Sequence, residues 1–161
     1  MRIRELESGD LGALTEFIHD VYNEYPSAMW FEKEPSDEEI GRVFYNKMRG
    51  VGLGMLVDMV VDDMGTIAGE CEITRVAHER GVVGILVRGS YRHRRMGSRI
   101  LDAAVNGACS IGMRRFDAEV AQENEGAIKF FMVNGFAPCG YRDIVKGGKE
   151  QRFVVMQLEK A

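Results

Sequence analysis

Apolar and polar residues recur along this chain with two different periods, and the switches between those periods mark its elements. Residues 2 to 7 set Ile3 and Leu6 among charges and read as an edge strand, followed by a turn at Ser8-Gly9-Asp10. Leu11, Leu14, Phe17, Ile18 and Val21 fall at three- and four-residue spacing, which predicts a first helix that stops at Tyr25-Pro26. An aromatic loop with Met29, Trp30 and Phe31 follows. Ser36-Asp37-Glu38-Glu39 then has the form of a capping box, in which Ser36 and Glu39 each satisfy a backbone donor of the other, and it opens a second helix to about Lys47.

Residues 54 to 61 are rich in β-formers, Asp62-Asp63-Met64-Gly65 reads as a hairpin turn, and 66 to 76 as the return strand. After a turn at His78-Glu79-Arg80-Gly81, residues 82 to 87 form a third strand, so apolar that burial on both faces is expected. Helical spacing returns with Met96, Ile100, Leu101, Ala104, Val105, Ala108 and Ile111. Residues 113 to 120 alternate as a strand, 124 to 134 form a short helix closed by Gly135, and 141 to 145 with 153 to 158 make a closing hairpin around Gly147-Gly148.

With no internal repeat or linker, this order describes one domain over residues 1 to 161, of α/β (α+β) class: a mixed, twisted sheet of about seven strands with helices on both faces. Its length suffices to bury a core without staples. Cys71, Cys109 and Cys139 are an odd, scattered set, which favours neither a disulfide framework nor a zinc site; a reducing, cytoplasmic setting and no metal are expected. The start lacks the apolar stretch of a signal peptide, and residues 53 to 61 are too short to span a bilayer, so no membrane role is expected.

The formal net charge of −4 argues against a dedicated nucleic-acid binder. Locally, however, Arg88, Arg92, Arg94, Arg95 and Arg99 gather with His93 at a strand end that runs directly into a helix. Such a loop aims backbone N–H groups and the positive end of a helix dipole at one spot, suited to phosphate. The same string is equally compatible with a solvated basic turn, and a contact to nucleic acid is a third reading.

Here the sequence resembles the GNAT superfamily of acetyl-CoA-dependent N-acetyltransferases, whose pyrophosphate loop reads Arg/Gln-x-x-Gly-x-Gly/Ala after a strand. Arg92, Met96 and Gly97 match it, whereas Arg95 stands where the first loop glycine belongs. Ala118-Glu119-Val120, Asn124 to Phe131 and Asn134-Gly135-Phe136 resemble the family's next block at matching separation. The resemblance covers residues 82 to 140 and implies that the fourth and fifth strands splay around pantetheine. The backbones of Leu86 and Val87 would then pair with its amides, and Arg92, His93, Arg94, Arg95, Met96, Gly97 and Ser98 would hold the pyrophosphate. Asn124 would contact the cofactor or orient the loop, and a helix-cap role is equally compatible and can hold at the same time.

The implied reaction is direct transfer of an acetyl group from acetyl-CoA to a primary amine, with no covalent enzyme intermediate. Aminolysis of a thioester needs a neutral amine, oxyanion stabilisation and a proton for the thiolate. Glu119 matches the glutamate base of the family's ribosomal-protein alanine acetyltransferases and is otherwise a solvated strand charge. Glu70, Glu72 and His78 are alternative bases. The family's tyrosine acid is replaced by Phe131, so Tyr141, Tyr91 or water protonates the thiolate, or it leaves unassisted. That departure also admits a non-catalytic acetyl-CoA or CoA sensor module. The acidic residues at 32 to 39 favour a cationic acceptor such as a polyamine, a basic metabolite or a peptide N-terminus, on charge alone. Pairing of the exposed closing strands would give a homodimer, which nothing in the sequence requires.

Overall fold

Each stretch with helical period forms a helix, and each strand-like run finds a partner. The computed structural model describes residues 1–26, 31–92 and 94–161. In chain order the elements are β1 (Arg2–Glu5), α1 (Leu11–Glu24), α2 (Asp37–Gly52), β2 (Leu56–Asp63), β3 (Thr66–Ala77), β4 (Arg80–Val87), α3 (Met96–Ser110), β5 (Arg115–Ala121), α4 (Glu125–Val133), β6 (Ala137–Lys146) and β7 (Lys149–Glu159). They build a seven-stranded sheet in the order β1-β2-β3-β4-β5-β7-β6. Neighbours are antiparallel except β4 and β5, which run parallel because α3 carries the chain back between them.

Two apolar layers hold the helices to the sheet. Leu14, Phe17, Ile18 and Val21 of α1 pack with Ile40 and Phe44 of α2 against Val60 and Ile67 on one face. On the other, α3 buries Met96, Ile100, Leu101, Ala104, Val105 and Ala108, and α4 buries Phe131, against Cys71, Phe116, Ala118 and Met156. The helix on each face therefore follows from its apolar stripe, as the spacing predicts. Among the described residues no helix is long and apolar enough to cross a membrane.

Three local expectations are corrected. Helix α2 passes the Lys47 limit and runs through two glycines to Gly52, because its stop is Gly54, whose left-handed backbone (φ +69°) lets Met55 N–H bond Gly50 O at 2.9 Å and Gly54 N–H bond Val51 O at 3.2 Å. Ser36 caps this helix by accepting from Glu39 N–H at 3.1 Å, yet Glu39 returns its carboxylate to the Ser36 hydroxyl and not to the backbone. Gly81 belongs to β4 and not to the preceding turn. A side chain there would place Cβ at 2.5 Å from Ile73 Cγ2 and 2.8 Å from Met113 Sδ, so the glycine is demanded by packing. Met29 and Trp30 lie outside the described residues.

Candidate active site

Strands β4 and β5 pair only at Arg80↔Arg115, Gly81↔Phe116 and Val82↔Asp117. Beyond that point β4 stays with β3 to Val87, and β5 stays with β7 to Ala121, so the two parallel strands part. The buried carboxylate of Asp117 sits where they separate, accepting from Arg80 Nε at 2.6 Å and Gln157 Nε2 at 3.0 Å. Expected burial of β4 on both faces is thereby corrected: beyond the last pair Ile85, Leu86 and Val87 are half-buried and Gly84 is exposed, because the neighbouring strand has turned away. A central strand with an unpaired backbone edge is a binding surface for an extended amide chain, since buried peptide groups require partners. Leu86 and Val87, which the family resemblance implies as the pantetheine contacts, lie on this edge.

The chain leaves β4 through a loop anchored to α1. Arg88 turns inward, bonding Ile67 O through Nε at 2.7 Å and pairing with Asp20, so this member of the basic cluster is structural. Gly89 N–H donates to the Glu24 carboxylate at 3.0 Å, and the Arg92 guanidinium lies 4.1 Å from the centroid of the Tyr25 ring. Tyr91 donates its hydroxyl to Asp63, which raises its pKa by stabilising the protonated phenol, and Arg94 lies 5.7 Å over the Tyr91 ring. Arg95 adopts a left-handed backbone (φ 56°, ψ 17°) just before α3. Its backbone thus takes the conformation favoured by the glycine that the family pattern has there, at a cost of about 1–2 kcal/mol.

The first intrahelical bond beyond this point joins Arg99 N–H to Arg95 O at 3.2 Å, so the N–H groups of Met96, Gly97 and Ser98 belong to the open first turn. Met96 itself is buried. Gly97 makes its close approach to Phe130, whose Cε2 would be 3.1 Å from a Cβ. Arg92, Arg94, Arg95 and Arg99 are exposed around the turn, and His93 lies outside the described residues. Asn124 caps α4, accepting from Ala127 N–H at 3.1 Å. Phe131 packs edge-on between Phe130 and Phe136 at 5.2 and 5.0 Å.

The two proposed proton carriers are not brought together. Glu119 projects to the α1–α2 side, where Arg142 Nη1 donates to its Oε1 at 2.5 Å. Tyr141 pairs with Val154, whose other neighbour is Val120, and therefore faces the α3–α4 side, exposed near Arg152. His78 is exposed in the turn at the closed end of the gap. Of the acidic residues at 32 to 39, Glu34 and Asp37 bind the two nitrogens of His19 at 2.9 and 2.7 Å, and Asp37, then Glu34, raise its pKa.

Sequence reading missed a charge network on the α1–α2 side of the sheet. Lys47 of α2 donates to Asp58 Oδ2 at 3.0 Å, to Glu70 Oε2 at 3.1 Å and to Glu72. Burial pushes the Asp58 carboxyl well up, and the charge of Glu70 adds to this against the pull of Lys47. Burial opposes the charge of Lys47 as well, but its three carboxylates outweigh it and hold its pKa well above the usual value. The legible signal was alternation: Asp58 and Val60 on β2, and Glu70 and Glu72 on β3, fall on one face. Cys71 beside them is buried, its pKa pushed up by that burial, and so is no ready nucleophile.

The sequence pattern of the acetyltransferase (GNAT) family matches residues 15–136. No match is found among curated proteins. The fold is similar to that of ribosomal-protein-alanine N-acetyltransferase from Brucella melitensis, with a TM-score of 0.83, 20% identity and 99% of each chain covered. It is similar also to yncA from Salmonella typhimurium, solved with its cofactor acetyl-CoA (TM-score 0.81, 18% identity, 99% of this chain and 94% of that one). A spermidine N-acetyltransferase SpeG chimera from Vibrio cholerae and hSSAT superposes with a TM-score of 0.76 at 20% identity, over 99% of this chain and 96% of that one.

Proposed function

The chain belongs to the acetyltransferase (GNAT) family, and we propose that it transfers an acetyl group from acetyl-CoA directly to a primary amine. The observation that carries this reading is the parting of β4 and β5 after Val82↔Asp117, which leaves an unpaired strand edge at the centre of the sheet. In this reading the backbones of Leu86 and Val87 hold the pantetheine amides, and an N–H of the same edge receives the oxyanion. The open turn of Met96, Gly97 and Ser98 takes the pyrophosphate, with Arg92, His93, Arg94 and Arg95 as counter-charges. Asn124 acts first as the cap of α4, which orients the helix beside that turn.

Acetyl-CoA supplies the activated acetyl group as co-substrate. The amine approaches from the α1–α2 side, where Asp58, Glu70 and Glu72 share the single ammonium of Lys47 and leave surplus negative charge, and a cationic acceptor such as a polyamine or a peptide N-terminus fits that sign. The similar folds named as alanine and spermidine N-acetyltransferases motivate both acceptor types.

The test is thermal unfolding with acetyl-CoA, CoA and ATP, followed by thiol release with amines. A ligand at a hundred times its Kd stabilises by about 2.7 kcal/mol, which for a chain of this size is roughly a 5–10 °C rise. That rise with both CoA forms and not ATP, then amine-dependent thiol release, is expected. No rise at saturation overturns the reading. The second reading, a sensor of acetyl-CoA, is favoured by one feature, the buried Phe131 where the family's tyrosine acid stands; its signature is the same rise without thiol release.

A further inference from the structure

We infer that Glu72 is the group that takes the proton from the acceptor's ammonium, working through the opening left by Gly84; this rests on the transfer reading above. Between Val82 and Val87 the parted segment of β4 carries no ionisable side chain, so a proton acceptor has to reach the gap from a neighbouring strand. On β5 each carboxylate has an arginine of its own, Asp117 with Arg80 and Glu119 with Arg142, whereas Glu72 shares Lys47 with Asp58 and Glu70. Glu72 stands directly opposite Gly84 in the β3–β4 register. A Cβ at Gly84 would lie 3.6 Å from both Cγ and Oε1 of Glu72, so the glycine leaves that carboxylate uncovered toward the gap.

Glu72 is also the outlet of the buried network. Its side chain is 39% exposed, against 0% for Asp58, 8% for Glu70 and 10% for Lys47. Three carboxylates share a single ammonium, so the cluster retains negative charge and attracts a further cation at its one open member. Asp58 Oδ1, buried and without a hydrogen-bond partner among the described residues, is a further sign of this imbalance: the interior has a place for a proton beyond what Lys47 supplies. The charged groups facing Glu72 are Lys47 from α2, Asp58 from β2 and Glu70 from β3, while β4 presents Val82, Gly84 and Leu86.

The step balances as follows. An N–H bond of the ammonium breaks and its proton goes to Glu72. The freed lone pair forms a C–N bond to the thioester carbonyl carbon, the C–S bond breaks, and the thiolate takes the second surplus proton from nitrogen. Amide and CoA thiol result, and Glu72 returns its proton to water.

The experiment compares wild type, Glu72→Gln, Glu119→Gln and Gly84→Val, with acetyl-CoA and either spermidine or a peptide beginning in alanine, whichever the wild type acetylates faster. Glu72→Gln is expected to lower kcat/KM at neutral pH by about 10²–10⁴-fold, the usual worth of a general base, and by more than Glu119→Gln. Its remaining rate rises tenfold per pH unit up to the acceptor's own pKa, since only free amine then reacts. Gly84→Val keeps the carboxylate but covers it, raising the acceptor KM at least tenfold. Both variants retain the acetyl-CoA shift in midpoint, which separates catalysis from misfolding. A wild-type pH profile in Glu72→Gln, or the steeper loss in Glu119→Gln, overturns the assignment. A wild type that binds acetyl-CoA yet releases no thiol with either amine overturns the transfer reading itself.

Discussion

Arg142 Nη1 donates to Glu119 Oε1 at 2.5 Å across the intervening strand β7, joining the sheet's edge strand to the rim of the gap. The arginine is 63% exposed at its side chain and the glutamate 20%, so the pair is solvent-screened. Arg142→Met is expected to cost about 0–1 kcal/mol. Calorimetry should register a fall of at most about 4 °C; a larger fall would make this pair the main attachment of the closing hairpin.

Gly81 meets Ile73 and Met113 closely enough that no side chain fits without displacement. Overpacking of this kind costs about 1–3 kcal/mol. Urea denaturation of Gly81→Ala should show that loss with an unchanged m-value; an unaltered midpoint would mean that the junction of β3, β4 and the Met113 loop yields freely.

Arg95 holds a left-handed backbone that glycine adopts without strain. Relief of that strain is partly offset by the greater freedom of glycine in the unfolded chain, so Arg95→Gly should stabilise by roughly 0.5–1 kcal/mol. Arg92, Arg94 and Arg99 remain, and the Kd for CoA should rise less than tenfold. Destabilisation in the same denaturation assay would show that the Arg95 side chain contributes more than its backbone costs.

Two aspartates predict opposite responses to pH. The Asp58 carboxyl is raised by burial from its ordinary 3.8, so the folded state binds more protons than the unfolded one above that value, and its contribution declines as pH rises toward the raised folded pKa. Asp58→Asn removes this decline. Its stability relative to wild type should therefore improve as pH rises above about 4 and level off once the raised folded value is passed.

Asp10 is lowered chiefly by its hydrogen bonds to Arg4, at 2.8 Å on each oxygen, and it also receives Glu7 N–H at 2.7 Å. Its contribution is present above about pH 4 and lost as pH falls through the lowered folded value. Asp10→Asn should cost about 1.5–3 kcal/mol at neutral pH, as for hydrogen bonds to charged groups, and progressively less in acid. Urea titrations of both variants at several pH values check the two signs together; parallel curves with wild type would contradict them.

Element identity was legible because it is encoded locally. The apolar stripes of α1 and α3, the Ser36 and Asn124 caps and the loop entering α3 are all decided within a few residues, and the matching blocks at Arg92-x-x-x-Met96-Gly97 and Asn124 carried the family. Glycines were less legible. Gly81 looks like a turn residue in sequence, and only the packing of Ile73 and Met113 shows it to be a strand residue without room for a Cβ.

By itself, then, the sequence determined the order of strands and helices, the faces their apolar residues would bury, and the basic loop before α3, since periodicity and capping act over one or two turns. Which carboxylate stands beside the gap was decided by the tertiary structure. Register sets Glu72 opposite Gly84, Lys47 arrives from a helix 25 residues away in sequence, and Arg142 reaches Glu119 from across β7. Those neighbours depend on strand pairing between distant segments, and a charge takes its role from the groups that pairing brings to it.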